Sequence, residues 1–221
     1  DFMWANLDEA GSEGAWISTI DTSSTTTVGD VAGGIMAMVT DGDAEDAACL
    51  ERRNEAFLVA EDKPLVFGAL VQFTEANTDD ANVYVGVIEA PDLDTCVADS
   101  GGGPPADYDG MGFVKVFGEL NWQVEDAVGT NINNTKLTAA LSLDGAAKPG
   151  ASALYQWLEI SMDPVNADDN RINYYIDGVH VASHVNNTAS ATQIKPAFAV
   201  KAGGANAETL NVDAVYCYQK R

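Results

Sequence analysis

The chain has few residues of several kinds, and each shortage excludes a class of protein. It contains 3 cysteines and 2 histidines among 221 residues, and the cysteines lack the paired spacing of a zinc site. An odd number of cysteines allows at most one bridge here, and the spacing of Cys49 and Cys96 leaves their pairing open. No apolar run approaches the roughly 20 residues of a membrane span, so we expect no membrane partner.

Basic residues are also scarce. Lys and Arg number 11 against 34 Asp and Glu, which gives a formal net charge of −23. Such a chain repels phosphate backbones, and no basic stripe offsets this, so nucleic acid is not an expected partner. The charge fits either solubility in a salty environment or docking onto a basic protein surface.

Catalytic and metal-binding signatures are missing as well. There is no GxSxG or HExxH motif, and the glycines of "ADSGGGPPADYDG" (98–110) are not followed by the lysine of a phosphate-binding loop. The acidic run "DGDAEDAACLE" (41–51) suggests calcium, but it lacks the central glycine of an EF-hand and has alanines at ligand positions. A solvated acidic turn is favoured. The sequence predicts no catalytic residue, no cofactor and no bound metal, and so a protein that is not an enzyme.

Short runs with strand-like composition make up most of the chain. Turns rich in Gly, Asp, Asn and Pro separate them, and only residues 45–55 suggest a brief helix. This pattern predicts an all-β, antiparallel two-sheet sandwich or jelly roll in one domain. The candidate strands are 33–40, 55–60, 63–73, 82–90, 111–117, 119–126, 153–162, 171–184, 194–201 and 208–219.

An N-terminal arm is predicted for residues 1–27, ahead of a sandwich domain at 28–221. The polar run "DTSSTTTVGD" (21–30) has the composition of a connector. The apolar residues Phe2, Trp4 and Trp16 precede it. They either fold back onto the sandwich or anchor in a partner, and we favour anchoring because terminal segments are disordered unless tied down.

The stretch "RINYYIDGVHVASH" (171–184) predicts a hairpin around a type I′ turn at Asp177-Gly178. A regular hairpin places Ile176 opposite Val179 and Tyr174 opposite Val181. Its solvent face then includes His180 and His184. Four residues of strand span about 13 Å, so the two histidines are not expected to share a metal or form a catalytic pair.

Aromatic residues on the same strands are candidates for a contact surface. Tyr155 and Trp157 share one face of their strand, and Tyr175 lies on the polar face of the hairpin. Aromatic side chains are enriched at binding hot spots, so these three are candidate partner or glycan contacts, together with Phe2, Trp4 and Trp16. The alternative is that the other side of a central strand is simply covered.

From about Pro64 to the C-terminus, the order of motifs resembles the concanavalin A-like (laminin G-like) jelly-roll superfamily. The motifs are "PLVFGALVQF", "NVYVGVIEA", "DGMGFVKV", "LYQWLEISMD", "INYYIDGVHVAS", "IKPAFAVK" and "LNVDAVYCYQ". The arrangement is also similar to that in structural proteins of tailed phages. The β-glucanases of the superfamily carry carboxylates at alternate positions of one strand. The strand "WLEISMDP" instead has Glu159, then Ser161, then Asp163, which disfavours a glucanase.

The resemblance implies a tailed-phage structural protein, either a capsid decoration (cement) subunit or another virion surface part. Its expected partners are the major capsid protein or another virion protein and further copies of itself, and its expected place is the outer capsid surface. The alternative is a lectin-like carbohydrate-binding module. A glucanase-type hydrolase is a third and weaker alternative.

Overall fold

The protein is built almost entirely from β-strands in this computed structural model. The structure describes residues 7–8, 15–21, 23–28, 34–53, 57–60, 62–77, 80–98, 103–137, 154–166, 169–187 and 192–220. Within these ranges the single helix, α1, is Leu93–Cys96. No helix in them has the length and apolar character of a membrane span.

Sixteen strands are present in the described ranges. In chain order they are β1 Leu7–Asp8, β2 Trp16–Ile20, β3 Thr25–Val28, β4 Met36–Val39, β5 Ala47–Arg52, β6 Phe57–Val59, β7 Leu65–Thr74, β8 Ala81–Ile88, β9 Gly110–Lys115, β10 Gln123–Val128, β11 Asn131–Lys136, β12 Gln156–Pro164, β13 Asp169–Ile176, β14 Val179–Asn187, β15 Thr192–Ala202 and β16 Thr209–Gln219.

The strands form two sheets. The nine-stranded sheet has the order β1-β2-β5-β15-β8-β9-β10-β11, with β6 also paired to β15, and the seven-stranded sheet has the order β14-β13-β12-β7-β16-β4-β3. Apart from the parallel pair β1–β2, the described pairings are antiparallel. The predicted all-β two-sheet sandwich is confirmed.

The core lies between the two sheets and is made by alternate residues of each strand. In β7 the buried side chains include Leu65, Phe67, Val71 and Phe73, as expected when one face of a strand meets the core. Aromatic rings join the sheets: Trp122 lies edge-on to Phe73 with ring centroids 5.5 Å apart. Removing a buried ring of this size costs about 3–5 kcal/mol of stability.

A second, smaller core covers the outer face of the nine-stranded sheet. It includes Tyr84, Cys49, Cys96 and Tyr108, and it is closed by the loop that carries α1. Asp92 caps this helix by accepting hydrogen bonds from the backbone of residues 94 and 95, at 2.9 and 2.7 Å. Because both faces of β8 are covered, all eight of its residues are buried, which explains why its sequence is mostly apolar on both faces.

Part of the predicted arm belongs to the sandwich. Strand β2 pairs with β5 in the nine-stranded sheet, and β3 pairs with β4 in the seven-stranded sheet. The threonines of "TTTV" favour a strand because β-branched side chains fit a pleated surface, although their polarity suggested a connector. Residues 1–6, which include Phe2 and Trp4, lie outside the described residues.

The brief helix predicted at 45–55 is wrong. Residues Ala47–Arg52 form β5, which lies between β2 and β15. Ala48 and Leu50 face the main core while Cys49 faces the outer one, so the segment alternates as a strand does. Pairing on both sides overrides the helix preference of Ala, Leu and Glu.

The Asp177-Gly178 hairpin is present, but its register is not the regular one. Ile176 pairs with Val179 and Tyr175 with His180, whereas Tyr174 pairs with Ala182. Val181 is therefore an extra residue in a β-bulge. Beyond the bulge the faces of β14 are exchanged. His184 turns inward, and its predicted place on the solvent face is corrected.

Strand β16 contains a second bulge, between Val212 and Ala214. Before it, Leu210 and Val212 are fully buried between the sheets. After it, Val215 and Cys217 pack against the core, while Tyr218 points outward and is 59% exposed. The extra residue moves Tyr216 and Tyr218 from the inner to the outer face of the seven-stranded sheet.

Candidate functional site

The outer face of the seven-stranded sheet carries a continuous surface of aromatic and polar side chains. One row across five strands consists of His180, Tyr175, Glu159, Gly68 and Tyr216. Strands lie about 4.8 Å apart, so the row spans about 19 Å. Trp157, Tyr175, Glu159 and Tyr216 are half-buried within the described part of the chain. We call the surface around this row the aromatic face.

Tyr216 is the central ring of the aromatic face. It lies over Gly68, where a Cβ atom would be 2.5 Å from its Cε1 atom. The missing side chain of the glycine therefore lets the ring approach the sheet. Tyr216 stacks on Tyr218 with ring centroids 5.1 Å apart and contacts Trp157 at 5.4 Å. Together the three rings form a broad, partly exposed apolar platform.

Glu159 anchors this platform from β12, across the intervening strand β7. The Tyr216 hydroxyl donates a hydrogen bond to the Glu159 carboxylate. Burial, and then the hydrogen bond and negative charge of Glu159, raise the pKa of Tyr216. Tyr216 thus remains a neutral phenol, with its donor committed to Glu159.

A chain of polar groups runs beside the rings. The Ser183 hydroxyl donates to Asn173 Oδ1 at 2.7 Å, and Asn173 Nδ2 donates to Ser161 Oγ at 3.3 Å. His180 Nε2 lies 2.7 Å from Ser183 Oγ. These groups are hydrogen-bond donors and acceptors held by strands, which gives a ligand fixed polar partners next to a flat apolar surface.

Two of the predicted contact residues lie on the aromatic face, and a third is next to it in sequence. Trp157 and Tyr175 belong to β12 and β13, and Tyr155 immediately precedes β12. Tyr175 lies edge-on to His180, with ring centroids 5.4 Å apart. Burial and the charge of Asp213 raise the pKa of Tyr155. The role of these residues as partner or glycan contacts stays a prediction.

Trp16 lies elsewhere. It is 4% exposed, contacts Phe198 at 5.9 Å, and carries the Arg52 guanidinium 5.5 Å from its ring centre. Its side chain folds back onto the sandwich, the alternative to partner anchoring. Trp16 and Arg52 line a pocket of about 250 Å³ together with Tyr216 and Cys217.

Sequence reasoning missed Tyr216 and Tyr218. Strict alternation along the strand predicts that both share a face with Leu210 and Val212. The signal in the sequence was Val215, which broke the alternation of that strand; a single exception of this kind is what a bulge at residue 213 produces.

His184 belongs to a buried polar cluster at the β14 edge of the sandwich, the end of the row that is away from Tyr216. Its Nδ1 donates to Asp126, and its Nε2 lies 2.9 Å from Thr135 Oγ1. The Asp126 carboxylate also accepts from the Tyr174 hydroxyl at 3.1 Å and from Asn186 Nδ2 at 2.8 Å. The aspartate on β10 thus links the nine-stranded sheet to β13 and β14 of the seven-stranded sheet. We interpret the cluster as structural: it holds the two sheets together, because His184 is only 9% exposed.

Strand β12 lacks the glucanase pattern, in which carboxylates occupy alternate positions of one strand. Glu159 and Asp163 both face outward, with Ser161 between them, and the Ser161 hydroxyl lies 3.4 Å from Asp163. Four residues of strand separate the two carboxylates by about 13 Å, whereas retaining glycosidases need about 5 Å.

Asp41, Asp43 and Asp46 form an acidic turn whose carboxylate oxygens lie within 4.8 Å of one another. Burial, and then the charges of Asp21 and Asp43, raise the pKa of Asp46. Exposed acidic turns have this geometry without a metal as well, so the absence of a bound metal stays a prediction.

No protein-family model matches the chain, and no curated protein matches it. Solved structures do resemble it. The carbohydrate recognition domain of Emp47p matches with a TM-score of 0.61 at 10% identity, over 94% of this chain and 89% of that one. A legume lectin-like domain from Entamoeba histolytica matches with a TM-score of 0.59 at 10% identity, over 94% and 91%.

An enzyme has the same fold. The endo-1,3-beta-glucanase from Streptomyces sioyaensis matches with a TM-score of 0.56 at 12% identity, over 84% of this chain and 76% of that one. The sandwich is therefore of the legume-lectin-like, concanavalin A-like type. At these identities the likeness concerns the fold alone.

Proposed function

We propose that the chain is a lectin-like carbohydrate-binding protein and that its aromatic face holds an extended glycan. The observation that carries the proposal is the platform of Trp157, Tyr216 and Tyr218 beside the polar chain of Asn173, Ser161 and Ser183. A sugar ring has apolar C–H faces and a polar hydroxyl edge. A flat aromatic ring can cover a C–H face, and fixed amide and hydroxyl groups can form hydrogen bonds with the hydroxyl edge.

The charge of the face favours a neutral glycan. Glu159 and Asp163 lie on it, against Arg171 and His180, and the whole chain has a formal net charge of −23. An anionic polymer meets repulsion from this field. The row of about 19 Å suits a chain of several sugar units rather than one monosaccharide.

The test is binding to a panel of neutral oligosaccharides and one uronic acid polymer, measured by calorimetry. Trp157→Ala should weaken the best neutral ligand at least tenfold, since platform rings act as hot spots. Phe117→Ala is the matched control, because Phe117 is 44% exposed but lies beyond the end of β9. Equal affinity of the two variants would contradict the proposal.

Polysaccharide cleavage is a second candidate, favoured by one observation: Glu159 lies on the aromatic face in contact with the Tyr216 hydroxyl. A lone carboxylate beside a phenol offers one acid–base group, so cleavage needs a further group from another strand. Release of new reducing ends from a bound glycan, lost in Glu159→Gln, would support this candidate. Binding without release supports a lectin.

The decoration role on a tailed-phage capsid has less support. The similar folds bear on carbohydrate recognition and cleavage, and nothing among these neighbours connects the chain to a virion. The capsid partner, the self-association and the virion surface location stay predictions. Copurification with assembled particles at a fixed stoichiometry would establish them.

A further inference from the structure

Two cysteines face each other beneath the loop that covers the nine-stranded sheet. Cys49 lies on β5 and Cys96 ends α1, and their sulfur atoms are 3.8 Å apart. Both are free thiols, 1% and 0% exposed. They lie 47 residues apart in sequence, so their approach results from the packing of α1 against β5.

The surroundings hold Cys96 in this position. The side chains of Asp92 and Thr95 form a capping box that fixes the turn before it, and the Cys96 amide donates to the Asp92 carbonyl at 3.3 Å. Tyr84, Val97 and Ala199 complete an apolar wall. A disulfide requires sulfur atoms about 2.05 Å apart, so the two side chains must bring their sulfur atoms closer together to form the bond.

We propose that Cys49 and Cys96 are a disulfide-forming pair, which fastens the α1 loop to the outer face of the nine-stranded sheet. With oxidised glutathione, the Cys49 thiolate attacks one sulfur and expels a glutathione thiolate. The Cys96 thiolate then attacks the Cys49 sulfur and expels the second. Two protein thiols are oxidised, two glutathione molecules are reduced, and the two protein protons pass to them.

Burial determines when the bridge forms. The hydrogen bond between the thiols and their burial raise the pKa of Cys49, so the reactive thiolate is rare in the folded chain. The bridge therefore forms during folding, while α1 is packing against β5 and the pair is still open to solvent. Once formed, it lies out of reach of exposed reductants, and it is opened by them only when the loop or the chain unfolds.

Cys217 supplies a matched control. It lies on the inner side of β16 and is half-buried, packed against the main core rather than the outer one. The pair lies against the outer face of the other sheet. Closing the bridge should therefore leave glycan binding at the aromatic face unchanged, which separates this proposal from the proposed function.

The experiment is to refold the denatured chain in a glutathione redox buffer and map its peptides by mass spectrometry. Wild type and Cys217→Ala should show the 49–96 bridge, while Cys49→Ala and Cys96→Ala should not. The bridged wild type should melt higher than its reduced form, on the order of 5 to 10 °C. Hydrogen exchange in the α1 loop should slow as well.

Two results would overturn the proposal. In the first, both thiols of the refolded wild type remain open to alkylation after denaturation, whatever the redox buffer. In the second, the mapped bridge contains Cys217. If a cysteine variant fails to fold, the peptide map of the wild type still decides the question.

Discussion

The outer faces of the two sheets each carry a tyrosine that lies over glycine, but the described residues cover only one of these faces. In the nine-stranded sheet, Tyr84 is fully buried, and its hydroxyl donates to the carbonyls of Val87 and Met111 at 3.0 and 3.2 Å. In the seven-stranded sheet, Tyr216 is half-exposed and donates to the side chain of Glu159. A tyrosine packed over glycine thus belongs to a buried core on one face and to a candidate binding surface on the other.

The difference follows from what each hydroxyl contacts. A buried tyrosine bonded to backbone carbonyls satisfies acceptors that have no access to water, so it stabilises the fold. A half-exposed tyrosine bonded to a carboxylate keeps one side of its ring open to solvent and available to a ligand. Position over a glycine therefore does not by itself indicate a binding site. What distinguishes the two faces is whether a further layer covers the tyrosine.

The largest expected effect comes from filling the covered face. A Cβ atom at Gly86 would lie 2.6 Å from the Gly112 Cα and closer still to the Met111 carbonyl oxygen. Backbone atoms of a central strand cannot move aside, so Gly86→Ala should lower the free energy of unfolding by about 3 kcal/mol or more. Chemical denaturation measures this. An unchanged midpoint would mean that the two strands are further apart than described.

A pH-dependent effect of intermediate size is expected at the end of the inter-sheet space. Glu208 is fully buried there, and one of its carboxylate oxygens has no partner among the described residues. Burial is the main cause that raises the pKa of Glu208 to about 7, and the charges of Glu75 and Asp80 add to it. In the folded chain Glu208 is therefore mostly protonated below about pH 7.

Because the folded pKa is the higher one, the stability that this proton contributes is fully present below about pH 4.5 and lost as the pH rises through about 7. Glu208→Gln stays neutral throughout. Between pH 5 and pH 8 the wild type should lose about 1–3 kcal/mol relative to this variant, measured by urea unfolding at each pH. Parallel stability curves for the two proteins would contradict the burial of an acid here.

The smallest stability effect is expected on the uncovered face. A Cβ atom at Gly68 would meet only the outer atoms of the Tyr216 ring, and a half-exposed ring can swing away. Gly68→Ala should therefore cost about 1 kcal/mol or less. Displacing Tyr216 should nonetheless weaken glycan binding severalfold, measured by calorimetry. Large destabilisation with intact binding would show that the two faces do not differ as argued.

The two β-bulges show why part of the site escaped prediction. The strands that carry the site, β12, β13, β14 and β16, were all identified from their composition and turns. Faces were assigned by strict alternation, which holds for Trp157 and Tyr175. One extra residue at Val181 and another at residue 213 reversed the faces of His184, Tyr216 and Tyr218. Whether an extra residue bulges depends on the partner strand, so a local signal such as Val215, out of alternation in β16, does not by itself fix the faces.

The sequence by itself determined the class of the fold and the negative sign of the protein's electrostatic field. Turn residues, β-branched runs and two-residue periodicity are local properties, and they specify a two-sheet sandwich without reference to distant residues. What only the tertiary structure decided is which side of each sheet is covered, which aromatics share a surface, and that β5 is a strand. Those outcomes depend on long-range packing, since the loop over β8 and the bulge in β16 act on residues far away in sequence.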